Sequence, residues 1–384
     1  MSTVPLGEIC NVQIGRTPPR SDPRYWGGSN PWASISDLNQ GLLITRTKEG
    51  ITEEGAHAGK LVQPGTVLIS FKLSIGKVSI AGIPLYTNEA IAALPIKYPS
   101  TLDARYLLRY LESLSLEEGA NRAAMGRTLN KKTLSELPIP LPPLDEQHRI
   151  AAILDKADAI RQKQHQAIAH INVLSKPLLA RALQSTSDRV LLGDLIKDGP
   201  KNGIYRPKSA YGAGVHIVRI DSFKFGSPKI LTSSLKRLDL KSEEINEFAL
   251  KDGDVLINRV NSKNYVGKTA LVEDLQEQTV FESNMMRLRL DSQQIRGRFF
   301  AEFMQTLEVR RQLSSKIKDA INQSSINQQD VKTIEVPLPS IGAQDEFVSA
   351  INELESQRTT REISALRADA VFESLQSRAF RGEL

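Results

Sequence analysis

The chain has 384 residues, a net charge of +6 and one cysteine, Cys10. This length exceeds what a single hydrophobic core usually supports, so two or more domains are expected. One cysteine excludes an intramolecular disulfide, no apolar run approaches the ~18–20 residues that cross a bilayer, and residues 1–7 lack the features of a secretory signal. These features predict a cytoplasmic protein with no membrane partner, and the basic charge favours a polyanionic partner such as nucleic acid.

The first half of the chain begins with short strand-like runs and ends in a long helix. Runs rich in β-branched residues predict strands at Thr66–Phe71 and Val78–Ile83, and Ala104–Ser113 is expected to be helical. Prolines at 142 and 143 then precede a long helix. That helix is expected to begin near Asp145, because aspartate is a favoured N-cap residue.

The second half repeats the motifs of the first half in the same order. Conserved order over so long a stretch indicates a duplicated unit, in which the second copy has extra loop residues. Strands are expected at Val255–Asn258 and Thr269–Val272, and a helical stretch at Gly297–Lys318. The matched segments are Leu6–Ile9 with Leu192–Leu195, Gly65–Ile69 with Gly253–Ile257, Thr87–Glu89 with Glu282–Asn284, Thr128–Asn130 with Ser325–Asn327, and Pro140–Pro142 with Pro337–Pro339.

Each half ends in a long helix whose apolar residues recur every three or four positions, the spacing of a coiled-coil seam. The seams extend for about 35 residues, or about 50 Å, which is more than a small domain covers. The two helices are therefore expected to pair antiparallel, with the preceding domains at opposite ends, although packing of each stripe onto its own domain remains an alternative. The expected seam residues are Ile150, Ile153, Ile160, Ile171 and Leu174 in the first helix, and Phe347, Ile351, Leu354, Phe372 and Leu375 in the second.

This layout resembles the specificity (S) subunit of type I restriction-modification enzymes, and the resemblance covers essentially the whole chain. Leu137–Leu154 is similar to the family's boundary between a recognition domain and its helix, and Val336–Phe347 is a weaker copy. The second copy departs from the pattern, with Gly342-Ala343 where the first has Asp145-Glu146. Further typical segments are Gly15–Pro18, Ile75–Val78 and the C-terminal Phe380–Leu384.

The resemblance implies an α+β fold with a pseudo-two-fold internal repeat. Two target recognition domains, each of mixed α/β structure with short strands and helices, are separated by two long helices that pair as an antiparallel coiled coil. The expected boundaries are recognition domain 1 at residues 1–143, the central conserved helix at 144–184, recognition domain 2 at 185–340 and the C-terminal conserved helix at 341–384.

The resemblance also implies a function. Each recognition domain reads one half of a bipartite site on double-stranded DNA, and the helices set the unread spacer. The helices also dock two methyltransferase (modification) subunits, which bind S-adenosylmethionine and methylate adenine. Restriction/translocase subunits that use ATP and Mg²⁺ complete the enzyme. The chain itself is then a non-catalytic subunit without a cofactor of its own.

The residues themselves carry only incomplete catalytic motifs. Residues 126–133 and 262–269 each lack one glycine of a phosphate-binding P-loop, and His165 and His170 are five positions apart, where two ligands on one helix face need four. A single cysteine disfavours a structural zinc site. No catalytic or metal-binding residue is therefore predicted. Two alternatives stay open: a nuclease or methyltransferase with fused recognition domains, and a scaffold that binds only proteins.

Loops at matching positions of the two halves are rich in side chains that contact DNA. Lysine and arginine neutralise phosphates, and arginine, lysine, asparagine and serine also contact base edges. For any single residue, a solvated surface role is the alternative. The expected DNA contacts are Arg16, Thr17, Arg20, Lys72, Ser74, Arg127 and Lys131 in the first half, and Lys201, Arg206, Lys208, Arg259, Asn261 and Lys263 in the second.

Overall fold

The computed structural model describes residues 2–57, 59–72, 74–114, 130–319 and 323–384. Its contacts divide the chain into two units. The first unit comprises Met1–Gln166 with Arg361–Leu384, and the second comprises Ala167–Thr360. Each unit contains an α/β part and a segment of both long helices, which extend over Leu144–Gln184 and Ile341–Arg381.

A five-stranded sheet forms the centre of the first unit. Its three inner strands are buried at every residue, so they separate two apolar clusters, one of which contains helix Ala104–Ser113. The strands, in spatial order, are Gln13–Ile14, Ile91–Leu94, Val67–Ser70, Val78–Ala81 and Leu43–Ile44, and only the last pair is parallel. The unit also contains the three-stranded sheet Glu49–Ile51, Trp26–Ala33 and Tyr86–Thr87, helices Leu6–Ile9, Glu53–Ala56 and Lys131–Ser135, and 3-10 turns Pro23–Tyr25 and Ile35–Gln40.

The second unit has the same plan, with an antiparallel four-stranded sheet at its centre. The strands, in spatial order, are Ile196–Asn202, Met285–Leu290, Val255–Asn258 and Thr269–Leu271. The unit also contains two three-stranded sheets. One consists of Lys236–Leu238, Tyr211–Val218 and Thr279–Phe281, and the other of Val260–Asn261, Ser324–Ser325 and Lys318–Asp319. Its helices are Leu192–Leu195, Ser242–Phe248, Gly297–Phe303, Leu307–Ser314 and Gln328–Lys332, and its 3-10 turns are Lys208–Ala210 and Thr232–Ser234.

The expected strands and the first expected helix are present, whereas the helical stretch Gly297–Lys318 is not continuous. It consists of two helices separated at Thr306, whose hydroxyl accepts a hydrogen bond from the backbone N–H of Val309 and so caps the second helix. Lys318 lies in a strand instead. The first long helix begins at Leu144, one residue before the expected Asp145.

A short antiparallel strand pair closes the α/β part of each unit. Thr3–Pro5 pairs with Pro138–Pro140, and Arg189–Leu191 pairs with Glu335–Pro337. The chain therefore enters and leaves each α/β part at the same place. Because each long helix starts a few residues after the second strand of the pair, the strand pair fixes where that helix departs.

A buried glutamine in the first turn of each long helix attaches the helix to its unit. Both side chains are fully buried, and in each the amide oxygen accepts one backbone N–H while the amide nitrogen donates to two backbone carbonyls. For Gln147 the partners are Asp103 N at 2.9 Å, Thr101 O at 2.8 Å and Pro142 O at 2.9 Å, and for Gln344 they are Arg296 N at 2.8 Å, Gln294 O at 3.1 Å and Pro339 O at 2.9 Å.

The long helices pack together antiparallel within each unit, as the sequence predicted. In the first unit the His165 imidazole lies 3.1 Å from the Asp369 carboxylate, and the Arg149 guanidinium donates to the Leu384 carbonyl at 2.8 Å. In the second unit Phe347 shares an apolar cluster with Ala182. The beginning of each helix thus meets the end of the other.

The seam matches the expected residues in the second helix more closely than in the first. Phe347, Ile351 and Phe372 are buried, and Leu354 and Leu375 pack against the buried clusters. In the first helix Ile150 is buried, while Ile153 and Ile171 are half-buried.

Ile160 and Leu174 differ from the expectation, since 56% and 45% of their surfaces are exposed. The inward position near Ile160 is held by Arg161, whose guanidinium stacks over Phe372 at 4.5 Å and bonds to Asp158 at 2.7 Å. A straight helix repeats every 3.6 residues, so its inner face drifts from a strict seven-residue pattern by about 20° per heptad.

Candidate nucleic-acid interface

In the first unit, two of the expected contact loops attach to one turn at residues 87–91. The backbone N–H of Arg16 donates to Thr87 O at 2.8 Å, and that of Phe71 donates to Ala90 O at 3.0 Å. Gly15 must be glycine here, because a Cβ on it would lie 2.2 Å from Thr87 O. We call the loops 15–20 and 71–74, together with this turn, the first loop cluster.

The second unit builds the equivalent cluster with the same backbone hydrogen bonds. Ile204 N donates to Phe281 O at 2.9 Å, and Arg259 N donates to Asn284 O at 2.8 Å. A Cβ on Gly203 would lie 2.3 Å from Phe281 O, so this position has the same requirement as Gly15. We call loops 201–208 and 258–265, with the turn 281–285, the second loop cluster.

The side chains of the first loop cluster surround a carboxylate that the sequence did not mark as a site residue. The Thr17 hydroxyl donates to the Glu89 carboxylate. This hydrogen bond lowers the pKa of Glu89, and the positive charges of Lys72 and Arg20 contribute. Glu89 lies 72 positions after Thr17, so the pair leaves no local sequence motif. Only the match of Thr87–Glu89 to the second copy of the repeat drew attention to this segment.

Arg20 is held rigidly within this cluster. Its guanidinium binds the Glu49 carboxylate at 2.6 and 3.1 Å and stacks on the Trp26 ring at 4.0 Å from the centroid. Arg16 and Lys72 are exposed, whereas Ser74 is half-buried and its carbonyl accepts from the Ser70 hydroxyl.

The remaining expected contacts of the first half lie elsewhere. Lys131 is exposed at the start of its helix and lines a cleft with Lys60 and Lys97, beside helix Leu6–Ile9. Arg127 lies outside the described residues.

In the second loop cluster Arg259 and Asn261 have fixed side chains. The Arg259 guanidinium donates to Ser283 O at 3.2 Å, and the Asn261 amide donates to the Asn258 side-chain oxygen at 2.9 Å. Lys263 and Lys208 are exposed. The exposed cations, the oriented arginine and the amide side chains form the kind of surface that contacts phosphates and base edges.

Two expected cations of this cluster are neutralised by helix Ser242–Phe248. Lys201 forms an ion pair with Glu247 at 3.0 Å, and Arg206 forms one with Glu244. The sequence did not predict these ion pairs, because Lys201 and Arg206 lie far along the chain from their glutamate partners. The residues meet only when the chain has folded.

The lysine of the incomplete P-loop at residues 262–269 has a structural position. The Lys268 ammonium donates to the Phe223 carbonyl at 2.8 Å and also to the Ile220 carbonyl, and burial lowers its pKa. Nearby, burial raises the pKa of Glu282, whose carboxylate accepts from Ile220 N at 2.6 Å.

Within the described ranges, no cluster of histidine, cysteine, aspartate and glutamate has the arrangement to hold a metal ion. Over the same residues, no helix combines the length and the apolar character that crossing a bilayer requires.

Comparisons with known proteins agree with this two-unit architecture. The "Type I restriction enzyme StySPI specificity subunit" of Salmonella potsdam is 24% identical over 383 residues, covering 92% of this chain and 82% of its own. The EcoKI specificity subunit of Escherichia coli K12 is 26% identical over 384 residues, with the same two coverages. A crystal structure of a type I restriction-modification S subunit from M. genitalium has a similar fold, with a TM-score of 0.59 at 15% identity over 99% of this chain and 96% of that one.

The family model for the type I restriction modification DNA specificity domain matches the chain twice, at residues 1–172 and at residues 194–367. The two matches coincide with the two copies of the repeat and together span most of the sequence. The chain therefore belongs to the type I restriction modification DNA specificity family.

Proposed function

We propose that this chain is the specificity subunit of a type I restriction-modification enzyme, and that each loop cluster reads one half of a bipartite double-stranded DNA target. The observation that carries the proposal is the pair of loop clusters. They share a backbone frame, in which Arg16 and Ile204 make equivalent hydrogen bonds, yet their side chains differ. A protein that reads two different half-sites needs this combination of constant frame and variable side chains.

The expected contacts divide by chemistry. Exposed Arg16, Lys72, Lys131, Lys208 and Lys263 suit phosphates, because an exposed lysine or arginine neutralises the DNA backbone without reading sequence. Ser74, Arg259 and Asn261 suit base edges, whereas Thr17 donates its hydroxyl to Glu89 and contributes through that carboxylate. Arg20 is held against Trp26, and Lys201 and Arg206 contact a phosphate only by leaving their glutamate partners. Arg127 stays in the phosphate-binding set on its charge alone.

The proposed division of labour follows the proposed domains. Residues 1–143 and 185–340 read DNA, and residues 144–184 and 341–384 form the helices that set the spacer. The helices dock two modification subunits, which bind S-adenosylmethionine, and restriction subunits that use ATP and Mg²⁺. The chain is non-catalytic and acts in the cytoplasm.

Binding of the full chain to labelled duplex DNA over a salt series tests DNA recognition. Phosphate contacts release counterions, so the logarithm of the affinity should fall linearly with the logarithm of salt concentration, with a slope of about −0.9 per phosphate contacted. A protein-binding scaffold would show no salt-dependent affinity. The chain alone should also transfer no label from S-adenosylmethionine to DNA, and transfer would support the fused methyltransferase instead.

Two variants then separate sequence reading from charge. Arg259→Ala should weaken binding to the selected site by about 1–3 kcal/mol and unrelated DNA far less, if the guanidinium pairs with a guanine. Lys263→Ala removes an exposed charge from the same loop and should weaken binding to all sequences alike. Equal losses on all DNA for both variants would make Arg259 a phosphate contact.

A further inference from the structure

Glu89 is a carboxylate at the surface of a loop cluster that otherwise offers cations. It is exposed, and its carboxylate accepts hydrogen bonds from the Thr17 hydroxyl and from its own backbone N–H. The adjacent Arg20 directs its guanidinium to Glu49 instead. Over the residues that the structure describes, Glu89 forms no ion pair within 4.0 Å, so the fold fixes this carboxylate without neutralising it by a direct contact.

A residue at a DNA surface contacts either phosphates or base edges, and the charge of Glu89 excludes a phosphate contact. A carboxylate repels phosphate and cannot donate to it. It does accept from the exocyclic amino groups that bases present in the major groove, of which the N4 amino group of cytosine is the usual partner. An ionised carboxylate offers about four lone-pair sites, so the bonds from Thr17 and the backbone leave acceptor capacity for a base.

The second unit places a different group at the equivalent position. Phe71 N donates to Ala90 O in one unit and Arg259 N donates to Asn284 O in the other, so Glu89 and Ser283 occupy matching places in the two turns. This register differs by one residue from the sequence match, which had paired Glu89 with Asn284. The Ser283 carbonyl accepts from the Arg259 guanidinium. The first turn therefore presents a carboxylate acceptor where the second turn has Ser283, whose carbonyl already accepts from the Arg259 guanidinium of the neighbouring loop.

We propose that Glu89 is a specificity-determining residue that accepts a hydrogen bond from the N4 amino group of a cytosine in the half-site read by the first unit, with Thr17 as its positioning residue. This inference rests on the proposed function of the chain. It assigns a carboxylate acceptor to the first turn and none to the matching position of the second, so the two half-sites are expected to differ at the base pair that each turn contacts.

Selection from a randomised double-stranded DNA pool at fixed salt concentration tests the inference with the full chain. The wild-type protein should enrich a split motif that contains a cytosine at one fixed position of one half. Glu89→Gln should lower the preference for that cytosine by about tenfold or more, and should favour adenine there, since glutamine pairs with adenine. Thr17→Val should weaken the same preference and no other.

Glu8→Gln is the matched control, because Glu8 is an exposed carboxylate in helix Leu6–Ile9 of the same unit, outside the first loop cluster. It adds the same net charge and should leave every base preference unchanged. If Glu89→Gln retains the complete motif and changes affinity equally for all sequences, Glu89 only positions the loop and the inference is wrong. If the wild-type chain enriches no motif in either half, the proposed function itself fails, which is a different result.

Discussion

Gln147 and Gln344 show how one residue type joins a long helix to an α/β unit. Each amide is fully buried and satisfies three backbone groups. The sequence contains both glutamines at matching places in the two copies of the helix boundary, but the hydrogen bonds could not be derived from it, because two of the three partner groups of each glutamine lie 44 to 50 positions earlier.

Gln147→Ala should lower the free energy of unfolding of the chain by about 2–4 kcal/mol, because it leaves a buried N–H and two buried carbonyls without partners. Chemical denaturation measures the change. Gln166→Ala, an exposed glutamine in the same helix, should change stability by less than about 0.5 kcal/mol. Equal effects of the two variants would show that the buried hydrogen bonds contribute nothing.

Glu282 gives the stability of the second unit a dependence on pH. Burial raises the pKa of this carboxyl above its ordinary value of 4.5. The folded state therefore binds the proton more tightly than the unfolded state, so the stability contributed by this group is fully present below pH 4.5 and is lost as pH rises through the folded pKa.

Glu282→Gln removes that titration and keeps an acceptor for Ile220 N. Urea unfolding of the wild-type chain and this variant, compared from pH 4.5 to pH 7, should show a smaller decline of stability with pH in the variant. An identical decline in both proteins would mean that Glu282 is not the group responsible.

The two long helices are the elements whose pairing the sequence predicted with least ambiguity. The proline pair preceded the first helix, the apolar spacing located both helices, and the five expected seam residues of the second helix are buried or pack against buried clusters. In the first helix Ile160 and Leu174 are exposed, and near Ile160 the charged Arg161 and Asp158 occupy the inner face and contact Phe372 and Arg109. A hydrophobic pattern cannot show that a buried ion network replaces apolar contacts.

Phe372→Ala tests the packing of the helix pair in the first unit. Phe372 is 5% exposed and lies beneath the Arg161 guanidinium, so truncation should cost about 3–5 kcal/mol of unfolding free energy. Leu366 is the matched control, since it lies on the same helix and is 69% exposed. Leu366→Ala should have little effect in the same denaturation experiment, and a loss comparable to that of Phe372→Ala would contradict this packing.

At the scale of the whole molecule, the sequence predicted the duplication and the family, because short motifs repeat in order and the boundary at Leu137–Leu154 is specific. It did not predict the side-chain partners within the loop clusters. Glu89 meets Thr17, and Glu247 meets Lys201, only after strands distant in sequence have paired. Such contacts depend on tertiary structure and leave no local pattern.

The proposed spacer role makes a quantitative prediction for the whole chain. Inserting seven helical residues after Gln166 and seven more after Thr360 lengthens both helices by about 10.5 Å while keeping the inner faces within about 20° of phase. The unread gap between half-sites should grow by about three base pairs, since base pairs stack every 3.4 Å. Selection from randomised DNA measures the gap, and an unchanged gap would show that the helices do not set it.

The most direct test is a map of methylated adenines across the genome of a bacterium that expresses this chain with its modification subunit. We expect one split motif, with a methylated adenine in each half and a constant number of unread bases between them. Arg259→Ala should relax the motif in one half only. A single continuous motif, or methylation that does not change when this chain is removed, would contradict the claim that two homologous readers select the site.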